Sequence, residues 1–160
     1  MTDPDKAKEL HRIVTTTAIY KKDADGLRFL AIKRSMGERV HPGKWSLVGG
    51  GLSTDDYADT PKNHGNNAWS GVVEVSQMRE IKEEVGVTIG TPSLLLNFAF
   101  IRPDNIPVLV LVYYAPYVSG EVKLETDATE YKWVTLSEAK EMDMIPGIYD
   151  ELVKVSEALK

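Results

Sequence analysis

The sequence predicts an α+β fold in which a mixed β-sheet lies between helices, as in an α/β/α sandwich. Strand-forming runs occupy both halves of the chain, one strongly helical segment separates them, and a second helical segment closes the chain. Helices segregated from strands along one chain are typical of this class. With 160 residues, 42% of them hydrophobic, the chain is long enough to form one domain over residues 1–160.

The predicted strands are runs rich in β-branched and aromatic residues. Residues 13–20 and 28–33 are expected to form a hairpin, because the segment between them contains an Asp-Gly turn signal. A third strand is expected over residues 45–48, with a sharp turn at the three glycines that follow. Further strands are predicted at residues 93–102, 108–117, 121–125 and 130–135.

Residues 70–85 are predicted to form the central helix, which Gly86 is well placed to end. Its apolar residues recur at helical spacing and are expected to face the core: Val75, Met78, Ile81 and Val85. Shorter helices are expected at residues 137–142 and 148–159. Residues 1–12 are a polar N-terminal extension, and residues 52–69 lack an apolar period, so they are predicted to be a long irregular loop.

Composition restricts the classes of function. A net charge of -5 argues against a protein that binds a nucleic-acid polymer along its backbone. The absence of cysteine excludes disulfides, thiolate metal sites and cysteine nucleophiles. The N-terminus lacks the apolar core of a secretion signal, and the longest apolar run, residues 108–115, is too short to cross a bilayer. We therefore expect a soluble cytoplasmic protein that does not associate with membranes.

Three glutamates crowd the end of the predicted central helix. Glu80, Glu83 and Glu84 fall within roughly 100° of one another on a helical wheel, nearly opposite the apolar face. Glu80 and Glu84 form a like-charge pair, and all three lie at the negative end of the helix dipole. A hard divalent cation such as Mg²⁺ or Mn²⁺ would relieve this repulsion. The alternative interpretation is an ordinary solvated helix face.

Residues 79–87, REIKEEVGV, resemble the second half of the Nudix hydrolase signature, which reads Gly, five residues, Glu, seven residues, Arg-Glu-U-x-Glu-Glu-x-Gly-U, with U aliphatic. The first half departs from this pattern. The signature glycine, placed at Gly50, lies 29 positions before Arg79, which indicates an insertion of about 15 residues. The isolated signature glutamate is replaced by Gly71. The candidates for a substitute acid are Glu74, Asp55, Asp56 and Asp59.

The resemblance implies a Mg²⁺-dependent hydrolase, with Mn²⁺ as an alternative, that cleaves a diphosphate bond in a nucleoside diphosphate linked to another moiety. It also implies that Glu83 and Glu84 are metal ligands, that Glu80 is a ligand or the general base, and that Arg79 orients a carboxylate. A homodimer is left open. The alternative function is a non-catalytic Nudix-like sensor domain that binds a nucleotide.

The resemblance further implies that a backbone carbonyl of Gly49 or Gly50 completes the metal shell. A further acid is expected from a later loop, where Glu125 is the candidate and Asp127 and Glu130 are its rivals. Several other side chains are weighed for phosphate or base contacts against ordinary surface or core roles: Lys33, Arg34, Arg39, Lys44, Tyr57 and Trp69. Phe98 and Phe100 on a strand are also weighed for stacking on a base, but they and Trp133 are expected in the core.

Overall fold

The computed structural model describes residues 3–160, so residues 1 and 2 of the predicted N-terminal extension lie outside the described residues. Within the described range, the extension contains one short helix, α1 (Pro4–Ala7). No described helix combines the length and apolar character that a bilayer crossing requires.

Within residues 3–160, eight strands form one mixed sheet. The predicted hairpin is confirmed: β1 (Arg12–Asp23) and β2 (Gly26–Arg34) pair antiparallel around a tight turn. β1 is also parallel to β7 (Pro107–Ser119) along most of its length. The shorter strands attach antiparallel to these three: β3 (Trp45–Ser46), β4 (Val48–Gly51), β5 (Thr88–Ile89), β6 (Ser93–Ile101) and β8 (Ala128–Val134).

Helices cover both faces of this sheet, as the predicted sandwich requires. The central helix, α2 (Val72–Glu84), packs Ile81 against Ile19 and Leu30 on one face. α3 (Leu136–Lys140) and α4 (Ile148–Ala158) pack on the other face, where Leu152 contacts a core that includes Phe29. Successive residues of a strand point to opposite faces, so β1 and β2 supply both cores.

Two predicted backbone features are wrong. Residues 121–125 form no strand, and the Lys123 N–H instead donates to the Val85 carbonyl at 3.0 Å, which holds this segment against the end of α2. The chain does not turn at the three glycines, because Gly49, Gly50 and Gly51 continue β4 and pair with β1. Gly86 does end the helix, with φ of 71°.

The predicted inner face of α2 is only partly correct. Ile81 and Val85 are buried, but Val75 and Met78 are 51% and 42% exposed. Polar residues occupy the inner face of α2 instead. Among them is Gln77, whose amide donates to the Thr17 hydroxyl at 2.7 Å. Burial of a polar side chain is tolerated where it finds such a partner, so apolar spacing alone misplaced the face.

The aromatic strand residues were also partly misplaced. Phe98 and Phe100 are 41% and 39% exposed, contrary to the prediction of a core position. They lie on β6, which pairs with β7 along one side. Trp133 is partly buried and packs against the core beneath α2. The exposed pair leaves an aromatic surface beside the first half of β7.

The inserted loop at residues 52–69 has more local structure than predicted. It begins with a 3-10 helix at Thr54–Asp56, capped by Ser53, and closes through a bridge between His64 and Ala68. The rings of Tyr57 and Trp69 lie 5.3 Å apart, and the Trp69 indole donates to the Thr60 carbonyl at 2.9 Å. The two aromatic rings therefore pack against each other, with 53° between their planes.

Candidate active site

The last turns of α2 lie directly against β4, and this contact places two of the glutamates. Any side chain at Gly50 would overlap the Glu80 carboxylate, so the glycine leaves the space that this group fills. Glu84 faces Gly49, whose backbone N–H stabilises its ionised form. The sequence predicted that these acids point away from the core. That is wrong for Glu80, whose side chain is 15% exposed, because a strand without side chains admits polar groups beneath the helix.

Arg79 connects the carboxylates to one another. Its guanidinium donates to Glu80 at 2.9 Å, to Glu83 at 3.1 Å and to the Gly51 carbonyl at 3.2 Å. It also donates through two nitrogens to the carboxylate of Asp56. Arg79 thus relieves part of the repulsion among the glutamates.

Asp56 is one of the four acids considered as substitutes for the signature glutamate, and it is the one that contacts Arg79. Its side chain is 1% exposed. The hydrogen bond from Arg79 holds the pKa of Asp56 at about 2, against the opposing effect of burial, and the Ser53 N–H lowers it further. Gly71, where the signature has its glutamate, precedes α2 with φ of 74°, a conformation that favours glycine.

Burial raises the pKa of both inner glutamates. For Glu80, desolvation outweighs the opposing effect of Arg79. For Glu84, desolvation is again the largest cause, the charge of Glu80 adds to it, and the pKa rises to about 8. A further positive charge close to Glu84 would favour its ionised form at neutral pH.

The donor set fits a hard divalent cation. Glu80, Glu83 and Glu84 offer carboxylate oxygens, which Mg²⁺ prefers, and desolvation of Glu84 outweighs the stabilisation of its charge by the Gly49 N–H and Arg34. Within residues 3–160, no group of three or more aspartate, glutamate, histidine or cysteine side chains is placed so that these side chains alone could hold a metal ion. An ion there would need further oxygen donors, which water and substrate phosphates normally supply.

The glutamates border three clefts beside α2. Glu80 and Glu84 line one cleft together with Arg34 and Asp127. Glu83 lines a second cleft with Glu80 and Arg79, and a third with Glu125. Asp127, considered as a rival of Glu125, is therefore the later acid that shares a cleft with Glu80 and Glu84. The other rival, Glu130, lies 3.5 Å from Lys33 in an ion pair.

Two arginines flank the carboxylates. Arg34, predicted as a phosphate contact, borders the cleft of Glu84 and pairs with Glu38 at 3.1 Å. Arg12 borders a neighbouring cleft formed by Arg79 and Glu80. Sequence reasoning missed Arg12, because only the pairing of β1 with β4 brings it beside the glycine strand. Of the remaining basic candidates, Lys44 pairs with Asp143 at 2.7 Å and Arg39 is exposed.

Comparison with known proteins matches residues 10–154 to the model of the NUDIX domain family. Three solved structures are similar over most of the chain. A MutT protein from Methanosarcina mazei Go1 is 24% identical, covering 94% of this chain and 96% of its own, with a TM-score of 0.67. The NUDIX domain of Shewanella oneidensis NrtR, complexed with ADP ribose, is 16% identical, covering 99% and 94%, with a TM-score of 0.74.

The third structure, a MutT NUDIX hydrolase from Burkholderia pseudomallei, is 23% identical, covering 91% and 98%, with a TM-score of 0.69. At these identities the likeness shows a shared fold. No curated protein is similar enough in sequence to match.

Proposed function

Because the chain belongs to the NUDIX domain family, we propose that it is a pyrophosphohydrolase that cleaves a diphosphate bond in a nucleoside diphosphate linked to another moiety. One observation carries the proposal. Two glutamates with raised pKa values, Glu80 and Glu84, are half-buried against a glycine strand beside two arginines. Acids of this kind are costly for stability and are concentrated at functional sites.

The proposed cofactor is Mg²⁺, with Mn²⁺ as an alternative. Glu80, Glu83 and Glu84 would hold the ion, assisted by a backbone carbonyl of Gly49 or Gly50. The later acid would be Glu125, which shares a cleft with Glu83, or its rival Asp127, which shares a cleft with Glu80 and Glu84. When bound, such an ion polarises the diphosphate and lowers the pKa of a coordinated water.

The protein's own side chains position these groups. Arg79 holds Glu80 and Glu83 in place, and Asp56 in turn holds Arg79. Arg12 lines a cleft with Glu80, Arg34 lines another with Glu80 and Glu84, and both would bind phosphate oxygens of the substrate. Glu80 is either a metal ligand or the base that accepts a proton from the attacking water.

The test is hydrolysis of a panel of nucleoside triphosphates, sugar nucleotides, dinucleoside polyphosphates and ADP-ribose, each with and without Mg²⁺. We expect at least one substrate to be cleaved only with Mg²⁺. Replacing Glu84 with Gln should lower kcat by about tenfold or more, whereas the exposed control Glu141→Gln should leave it unchanged. Full activity of Glu84→Gln would contradict the assigned role.

The loss of the signature glutamate at Gly71 favours a second candidate, a sensor domain that binds a nucleotide without cleaving it. The solved NUDIX domain of NrtR holds ADP ribose. Tight binding of ADP-ribose to this chain, with no turnover of any substrate in the presence of Mg²⁺ or Mn²⁺, would establish the sensor instead.

The expected partner is a small nucleotide derivative, in a cytoplasmic protein that binds no nucleic-acid polymer. The net charge of -5 supports this, because a backbone-binding surface needs many basic side chains. Filter binding tests this expectation. The protein should retain neither RNA nor single-stranded DNA on a filter at any salt concentration. Sedimentation would decide whether the chain forms the homodimer that the sequence left open.

A further inference from the structure

The strand β6 (Ser93–Ile101) forms an open edge of the sheet. In the part of the chain that the structure describes, residues 3–160, it pairs with β7 and with no other strand. Residues 97–101, which make up its second half, are all exposed. The backbone N–H and C=O groups on the outer side of β6 therefore bond to no strand within that range. Such an edge is a template on which another strand can pair.

The two long edges of the sheet differ in charge. β8, which pairs only with β2 among the described strands, presents the exposed side chains of Glu130 and Lys132. β6 reads SLLLNFAFI and contains neither a charged residue nor proline, although these are common means of blocking an edge. Four of its apolar side chains are exposed instead: Leu94, Phe98, Phe100 and Ile101. An uncharged edge with exposed apolar side chains is typical of an interaction surface.

The second half of β6 has regular geometry. The register with β7 shifts once, between Leu94 and Leu96, and is uninterrupted from there to Ile101. Alternate side chains along this stretch share one face of the sheet. Phe98 and Phe100 lie on the same face, with their ring centroids 6.4 Å apart. A partner strand would therefore meet a straight edge that carries two aromatic rings on one side.

The charged groups beside this edge are paired within the chain. Arg102, which follows β6, donates to the Asp104 carboxylate at 2.8 Å. Lys8, which lines a surface cavity together with Ala99, donates to the Asp5 carboxylate at 3.0 Å. A strongly acidic or basic partner would find no complementary charge on β6. A second copy, whose own edge is equally neutral, meets no like charge there in spite of the net charge of -5.

We propose that β6 pairs antiparallel with β6 of a second copy of this chain, so that the two sheets join across a two-fold axis. Opposed residues of an antiparallel pair lie on the same face, so the axis must pass beside a residue that faces itself. Within the regular stretch, the central positions are Phe98 and Ala99. In the first register Phe98 faces Phe98 of the second copy, and in the second register Phe98 faces Phe100.

Both registers give the same kind of contact. Aromatic pairs across neighbouring strands are among the pairs that stabilise a sheet, and the backbones of the two copies would exchange about four to six hydrogen bonds. Each copy uses its one uncharged long edge, and the charged edge at β8 does not extend the assembly. A two-fold interface of this type is closed, so it yields a dimer rather than a fibre.

The test is sedimentation velocity of the full chain over a series of concentrations, without nucleotide or metal. We expect a particle of twice the chain mass at the higher concentrations. Ala99→Lys sets like charges against each other near the axis and should raise the Kd of the dimer by about tenfold or more. Tyr131→Lys places the same charge at an exposed position on β8 and should leave the Kd unchanged.

A monomer at every concentration would overturn the inference. So would an equal Kd for Ala99→Lys and wild type, an equal rise in the Kd for Tyr131→Lys, or a series of assemblies larger than a dimer.

Hydrogen exchange of the wild-type chain gives an independent measurement if Ala99→Lys fails to fold. The amides of residues 96–101 should exchange more slowly at high than at low protein concentration, because the second copy protects them. Those of β8 should exchange at the same rate at both concentrations. A dimer whose β6 amides gain no protection would use another surface and would overturn the inference. Neither measurement involves catalysis, so the proposed hydrolase function and this interface stand or fall separately.

Discussion

Replacement of Asp56 with asparagine removes the charge that holds Arg79 while keeping the size of the side chain. The carboxylate is 1% exposed and accepts from two nitrogens of Arg79 and from the Ser53 N–H. Its pKa of about 2, against an ordinary value of 3.8, measures how strongly the native structure favours the ionised form. At about 1.36 kcal/mol per pKa unit, the difference corresponds to about 2 kcal/mol of stability at neutral pH.

Hydrogen bonds to charged groups contribute about 1.5–3 kcal/mol each to stability, which is of the same order. The sign follows from the direction of the shift. Because folding lowers the pKa of Asp56, its contribution is complete above pH 3.8 and is lost as the pH falls toward 2. The difference between wild type and Asp56→Asn should therefore be constant from pH 5 to pH 7 and should shrink below pH 4.

Urea denaturation followed by tryptophan fluorescence measures this difference. We expect Asp56→Asn to lower the free energy of unfolding by about 2 kcal/mol, and the exposed neighbour Asp55→Asn to change it by less than about 0.5 kcal/mol. Arg79 also positions Glu80 and Glu83, so Mg²⁺-dependent turnover should fall in the first variant alone. If both variants unfold at the same urea concentration, the contact between the inserted loop and α2 does not carry the stability assigned to it.

Three further predictions concern other sites. Burial raises the pKa of Glu151 to about 7 from 4.5, so the free energy of unfolding should decrease between about pH 4.5 and pH 7. Denaturation at pH 5 and pH 8 should show a smaller decrease for Glu151→Gln than for wild type, and an equal decrease would contradict the assignment. Gly50→Ala places a methyl group on the Glu80 carboxylate and should lower kcat by about tenfold or more in a folded protein; wild-type turnover would show that this contact is unimportant. In denaturation, Ile81→Ala should lower the free energy of unfolding by about 2–5 kcal/mol, whereas Val75→Ala, on the exposed face, should lower it by less than about 0.5 kcal/mol. Similar values for the two variants would disprove the observed orientation of α2.

Local patterns in the sequence predicted which segments form strands and helices better than they predicted what those segments contact. The hairpin of β1 and β2, the central helix and its end at Gly86 follow from residues that act within one element. The face of α2 depended instead on its neighbour. Because β4 has glycine at Gly50, the space beneath the helix admits the Glu80 carboxylate rather than an apolar side chain. No property of the helix sequence alone contains that information.

The same reasoning explains what the inserted loop does at the site. Asp56 follows Gly51 closely in sequence, and the capped 3-10 helix at Thr54–Asp56 directs it back toward α2. A carboxylate can therefore reach Arg79 without a contribution from position 71, where the backbone conformation suits glycine. The sequence could list Asp56 among four acids but could not choose it, since the choice depends on the path of the chain after β4. The residues that follow, up to the start of α2, can then vary in length without disturbing this contact, because they leave the site after Asp56 and return only at the helix.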